Sequence, residues 1–109
     1  MTCEALWSVE FKANNQDFGA GVIVFETNRC LGGDVSYTYI GDYQIVNHIF
    51  KARLRIKKFN DLIPPLFKED YMLSLEGEYK DDVFEMSGSP DGAPEFVITV
   101  VCTRREELP

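Results

Sequence analysis

The chain has 109 residues, 45% of them hydrophobic and 27% charged, which is the mixture of one folded globular domain over residues 1–109 and not of a disordered chain. With 11 basic and 18 acidic side chains the formal charge is −7, which argues against binding to a nucleic acid backbone except through a local basic face. The longest apolar runs, Gly21–Phe25 and Phe96–Ile98, fall far short of the roughly 20 residues that span a bilayer, so no membrane segment is expected.

Hydrophobic periodicity is two almost throughout, so the chain reads as strands. Over Ala5–Ala13, Trp7, Val9 and Phe11 alternate with Ser8, Glu10 and Lys12, giving one buried and one wet face. A polar turn at Asn14–Asp17 precedes a second strand over Gly19–Glu26. There Gly19 and Gly21 leave room on one face for a neighbour's bulky side chains, or mark strong bending. Thr27–Arg29 turns into a short strand at Cys30–Leu31, and Gly32–Gly33–Asp34 reads as a second turn or bulge. Val35, Tyr37 and Tyr39 alternate again, Gly41–Asp42 interrupts, and Tyr43–Val46 resumes. After a turn at Asn47–His48, Ile49–Phe59 is the clearest strand, with Phe50, Ala52, Leu54 and Ile56 opposite Lys51, Arg53, Arg55 and Lys57.

Asn60–Lys68 differs. Asn60 or Asp61 can cap one short helical turn through Leu62, Ile63, Leu66 and Phe67, while Pro64–Pro65 forbids a longer helix. This segment is expected to plug or cover one end of the sheet. Strands then follow at Tyr71–Tyr79, Val83–Ser87 and Phe96–Arg104, separated by a turn at Lys80–Asp82 and a loop over Gly88–Gly92, with a frayed tail at Arg105–Pro109. Seven to eight short strands in hairpin order must hide their edges. Closure into a barrel does so, with a sandwich as the rival arrangement.

Chemical motifs are sparse. No nucleotide-binding, zinc-protease or serine-hydrolase pattern is present. Three cysteines without paired spacing form neither a disulfide framework nor a zinc site, and His48 alone cannot build a multi-histidine centre. No catalytic residue, cofactor or metal is therefore expected. Together with the absence of a leader-like start, the cysteine usage places the expected setting in the cytoplasm. Closure of a barrel by its first and last strands could bring Cys3 near Cys102. The acidic pairs Asp81–Asp82 and Glu106–Glu107 read as solvated turn and tail residues. The basic stripe Lys51, Arg53, Arg55, Lys57 and Lys58 reads as an outer face with cross-strand partners such as Glu76 and Glu78, not as a nucleic acid site. A barrel of this size can hold one small ligand, and Trp7, Phe11, Phe25, Leu54 and Leu75 are the candidate cavity residues. Tyr37, Tyr39 and Tyr43, gathered around Gly41, are the candidate protein interface.

The ordered blocks Leu6–Phe11, Gly19–Phe25, Leu31–Asp34, Tyr39–Gly41, Tyr71–Gly77 and Phe96–Arg104 resemble the GrlR-like family of small bacterial regulatory proteins, named for a negative regulator of type III secretion genes. The resemblance spans roughly residues 5–104. It implies an eight-stranded antiparallel lipocalin-like barrel with one short helical segment, a homodimer, an apolar cavity, and a non-enzymatic role in which a transcriptional activator is bound and silenced. One departure concerns the founding member's run of alternating acids in a surface loop. The corresponding Gly41–His48 carries only Asp42, so no acidic contact transfers. Sequence thus points to a regulatory protein acting by protein–protein binding, and alternatively to a carrier or sensor of a small apolar ligand.

Overall fold

The structure, a computed structural model, describes residues 2–14, 16–62, 64 and 68–109. Eight strands follow one another as β1 (Ala5–Ala13), β2 (Gln16–Glu26), β3 (Arg29–Gly33), β4 (Tyr37–Val46), β5 (Ile49–Lys58), β6 (Asp70–Glu78), β7 (Val83–Pro90) and β8 (Ile98–Glu107). Each pairs antiparallel with the next, and β8 pairs antiparallel with β1, so the sheet closes on itself. Closure removes the open edges that a meander of this composition would expose.

Two hairpin turns are set by backbone conformation. Thr27 and Asn28 (φ 51° and 63°) join β2 to β3, and Asn47 and His48 (φ 52° and 66°) join β4 to β5. Both central residues of each turn are left-handed, which matches the twist of the flanking strands. His48 is exposed at the second turn.

Several sequence expectations need correction. No helix occurs among the described residues: Asp61 and Leu62 form a turn. Asn60 Oδ1 accepts the Leu62 N–H at 3.0 Å, which closes an Asx turn and does not cap a helix. Ile63, Pro65, Leu66 and Phe67, expected in the plug, lie outside the described residues. Gly41–Asp42 and Gly88–Pro90 are strand residues, not interruptions. At Gly41 the register brings β5 so close that a Cβ would lie 1.9 Å from the Arg53 carbonyl oxygen. The glycine there serves close packing, not turning. The tail is paired through Glu107, which lies opposite Ala5 across the β1–β8 seam.

Inward positions alternate as the sequence pattern requires. The interior divides into two halves along the barrel axis. At one end Trp7, Phe25, Tyr43, Phe50, Tyr79 and Phe84 form a continuous ring cluster, with Tyr43 stacked on Phe50 at 5.0 Å and Phe84 edge-on to Trp7 at 5.1 Å. The Arg104 guanidinium caps it, 4.8 Å from the Trp7 ring centre. From there Arg104 donates to the Thr2 carbonyl at 2.6 Å, to the Asp81 carbonyl at 2.7 Å and to the Tyr79 hydroxyl at 3.0 Å. Trp7 Nε1–H donates to the Cys3 carbonyl at 2.9 Å, which ties the N-terminal segment over the same end. This end is closed by packing.

Candidate functional site

The other end is open. The starts of β2, β4, β6 and β8, the ends of β1 and β5, and the β3–β4 loop surround a cavity of about 430 Å³, within the roughly 300–1,000 Å³ of small-molecule sites. Its apolar wall comes from Phe11, Ile56, Pro64, Leu73 and Ile98, and its small wall from Gly19 and Ala20. Space survives here because Gly19 faces inward opposite Phe11 with nothing within 4 Å of where its Cβ would be.

One carboxylate organises the polar side of the cavity. Asp34 Oδ1 accepts the backbone N–H groups of Ser36 and Tyr37, each at 2.7 Å. These bonds shape the β3–β4 loop as an Asx turn. Its Oδ2 accepts a hydrogen bond from the hydroxyl of Tyr39. Burial first, and then this bond to Asp34, hold the Tyr39 hydroxyl above its ordinary ionisation range, so it stays a donor. Tyr71 is pushed in the same direction by burial, with Tyr37 and Asp34 nearby. Gly21 lies beneath the pair: a Cβ there would sit 2.8 Å from the Tyr39 hydroxyl and 2.6 Å from the Gly33 carbonyl oxygen. The room that the β2 glycines promise a neighbour is taken at Gly21 by Tyr39. At Gly19 it is left as cavity.

The sequence-predicted residues separate. Phe11 lines the cavity. Trp7 and Phe25, both 0% exposed, belong to the packed end, and Leu54 and Leu75 are core residues between strands β5 and β6. Tyr37, Tyr39 and Tyr43, expected on a surface, are inside: the first two line the cavity and Tyr43 joins the ring cluster. Sequence reasoning missed Asp34, Tyr71, Ile56, Leu73 and Ile98. The available signal for Asp34 was an acid followed at three and five residues by tyrosines, all on a strand entrance.

The outer surface carries two further features. Three cations of the β5 stripe are paired: Lys51 meets Glu76 at 3.3 Å, Arg53 forks onto Asp91 at 2.6 Å, and Arg55 forks onto Asp70 at 2.7 Å. Asp91 and Asp70, not Glu78, supply the second and third partners. Elsewhere, Leu6, Val24, Leu31 and Ile40 stand directly opposite one another across β1–β4. Leu31 is 46% and Ile40 48% exposed, with Val22 exposed beside them. Cys3, Cys30 and Cys102 are buried free thiols. Cys102 lies opposite Val9, so it is not a cross-strand partner of Cys3. Among the described residues no group of three or more His, Cys, Asp or Glu could hold a metal ion, and no helix is long and apolar enough to cross a membrane.

The chain is thus an all-β, eight-stranded antiparallel barrel consistent with lipocalin-like architecture. No protein-family model matches it and no curated protein is found similar to it, so no comparison ties the barrel to the GrlR-like family.

Proposed function

We propose that the chain is a non-enzymatic regulatory binding protein whose open barrel end takes up a small, mainly apolar ligand. The observation that carries this reading is the asymmetric filling of the barrel. Rings from β1, β2, β4, β5 and β7 crowd one end, while Gly19 and Ala20 leave a cavity of about 430 Å³ at the other. A polarity-sensitive dye should bind there with saturable fluorescence enhancement and be displaced by apolar competitors. Gly19→Leu, which fills the cavity from a position with open space at its Cβ, should abolish that binding without unfolding the barrel. Dye binding unchanged by Gly19→Leu would remove the cavity as the site.

A second reading is favoured by the outward row Leu6–Val24–Leu31–Ile40. Four apolar side chains in register on a solvent-facing sheet offer a contact strip of the kind that protein interfaces use. With the GrlR-like resemblance, this supports a homodimer that captures a protein partner such as a transcriptional regulator, in the cytoplasm where three free thiols remain reduced. Sedimentation of wild type and of a Leu31→Lys, Ile40→Lys double variant tests the strip. A dimer that dissociates in the variant supports it, and an identical mass in both removes the strip as the contact.

A further inference from the structure

Resting on the cavity reading above, we propose that the ligand is an organic cation, an apolar body ending in a protonated primary amine that binds Asp34. The cavity's described lining contains one ionisable acid, Asp34, and no Lys, Arg or His. Among the described residues no cation pairs with Asp34. Its three hydrogen bonds come from neutral donors, the N–H groups of Ser36 and Tyr37 and the Tyr39 hydroxyl. A carboxylate has about four acceptor sites. Two on Oδ1 and one on Oδ2 are occupied, which leaves one on Oδ2. An unneutralised carboxylate beside an apolar cavity favours a charged donor over a neutral one, because the bond is then charge-assisted in a poorly solvated place.

The walls fit the same chemistry. Phe11 and Tyr39 meet edge to face at 5.3 Å, and Tyr37 and Tyr71 do so at 6.4 Å. Four aromatic rings lining the same cavity as the carboxylate combine an apolar surface with quadrupoles that attract an ammonium group. The net charge of −7 acts in the same direction by drawing cations toward the protein and repelling anions. An acid of the same shape would meet Asp34 with like charge and no donor.

The test compares three probes of similar shape, 2-phenylethylamine, 2-phenylethanol and 3-phenylpropionate, by amide chemical-shift titration up to about 10 mM. The amine should bind about tenfold or more tightly than the alcohol, and the acid more weakly than either. Asp34→Asn retains a side-chain oxygen for the Ser36 and Tyr37 N–H groups and should bring amine and alcohol to similar affinity. Gly19→Leu should weaken all probes together. Amine and alcohol binding equally to wild type, with both lost in Gly19→Leu, would overturn the amine assignment and leave the cavity reading standing. Binding of no probe, or binding indifferent to Gly19→Leu, would overturn both. The wild-type ranking of the three probes decides the assignment even where Asp34→Asn fails to fold.

Discussion

Replacing Tyr39 with Phe removes one hydroxyl and keeps the ring. The hydroxyl is buried and donates to a carboxylate, and hydrogen bonds to charged groups contribute about 1.5–3 kcal/mol each. Asp34 keeps its two backbone donors and is half-buried, so water can partly replace the lost bond. The expected cost is therefore in the lower half of that range, about 1.5–2 kcal/mol. Unfolding entropy of about 2.1 cal/mol/K per residue over 109 residues converts this to a fall in Tm of roughly 6–9 °C. Thermal unfolding followed by circular dichroism at neutral pH measures it. Tyr43→Phe is the internal control, since the partners of the Tyr43 hydroxyl are the Cys3 thiol and the Asn28 backbone, neither of them charged, and it should lose about 1 kcal/mol or less. A Tyr39→Phe variant within about 2 °C of wild type would show that the bond to Asp34 does not hold the cavity entrance in shape.

Three further outcomes follow from the same packing. Gly21→Ala places a methyl group against both the Tyr39 hydroxyl and the Gly33 carbonyl, so it should destabilise by about 1–3 kcal/mol in denaturant titration; combined with Tyr39→Phe the two costs should fall short of additive, since one of the two clashes is relieved. Burial pushes the thiols of Cys30 and Cys102 up to about 12 from an ordinary 9.0, and the hydroxyls of Tyr39, Tyr43 and Tyr71 rise as well, in each case with burial as the largest cause. The folded chain therefore holds protons that the unfolded chain releases, so this contribution to stability is complete below about pH 9 and declines as pH rises toward 12; Tm should be insensitive to these groups near neutrality and fall in that alkaline window. An aromatic disulfide reagent, which exchanges with a thiolate and releases an aromatic thiolate, should label Cys3, Cys30 and Cys102 only at the rate of unfolding, because all three are buried; rapid labelling of the native protein would contradict the packing around them.

The parts of this fold that could be read from sequence are those fixed by local alternation. β1 over Trp7–Lys12 and β5 over Phe50–Lys57 show one apolar and one polar face, and both lie where the pattern puts them. The hairpin turn at Asn47–His48 likewise follows from turn chemistry. Errors arose where one residue type serves two purposes. Gly41 and Gly88 look like punctuation, yet they permit close approach between paired strands, a fact that appears only once the register is known. Arg105–Glu107 look like a polar tail because their pairing partners stand about 100 positions earlier in the chain, on β1. The candidate site was the least legible. Alternation shows that Tyr37, Tyr39 and Tyr43 share a face but not which face the closed sheet turns inward. It also cannot show that Trp7, Phe25, Phe50 and Phe84, from four strands, converge at one height along the barrel and leave the opposite height open.

The barrel with one packed end and one receptive end is tested most directly by mapping backbone amide shifts when the polarity-sensitive dye binds. Saturable shifts should gather on the strand ends bearing Phe11, Gly19, Tyr39, Leu73 and Ile98, with the amides of Trp7 and Phe84 nearly still. Shifts centred on Trp7 and Phe84, or on the outward row at Leu31 and Ile40, would place the ligand elsewhere and contradict the cavity as the binding site.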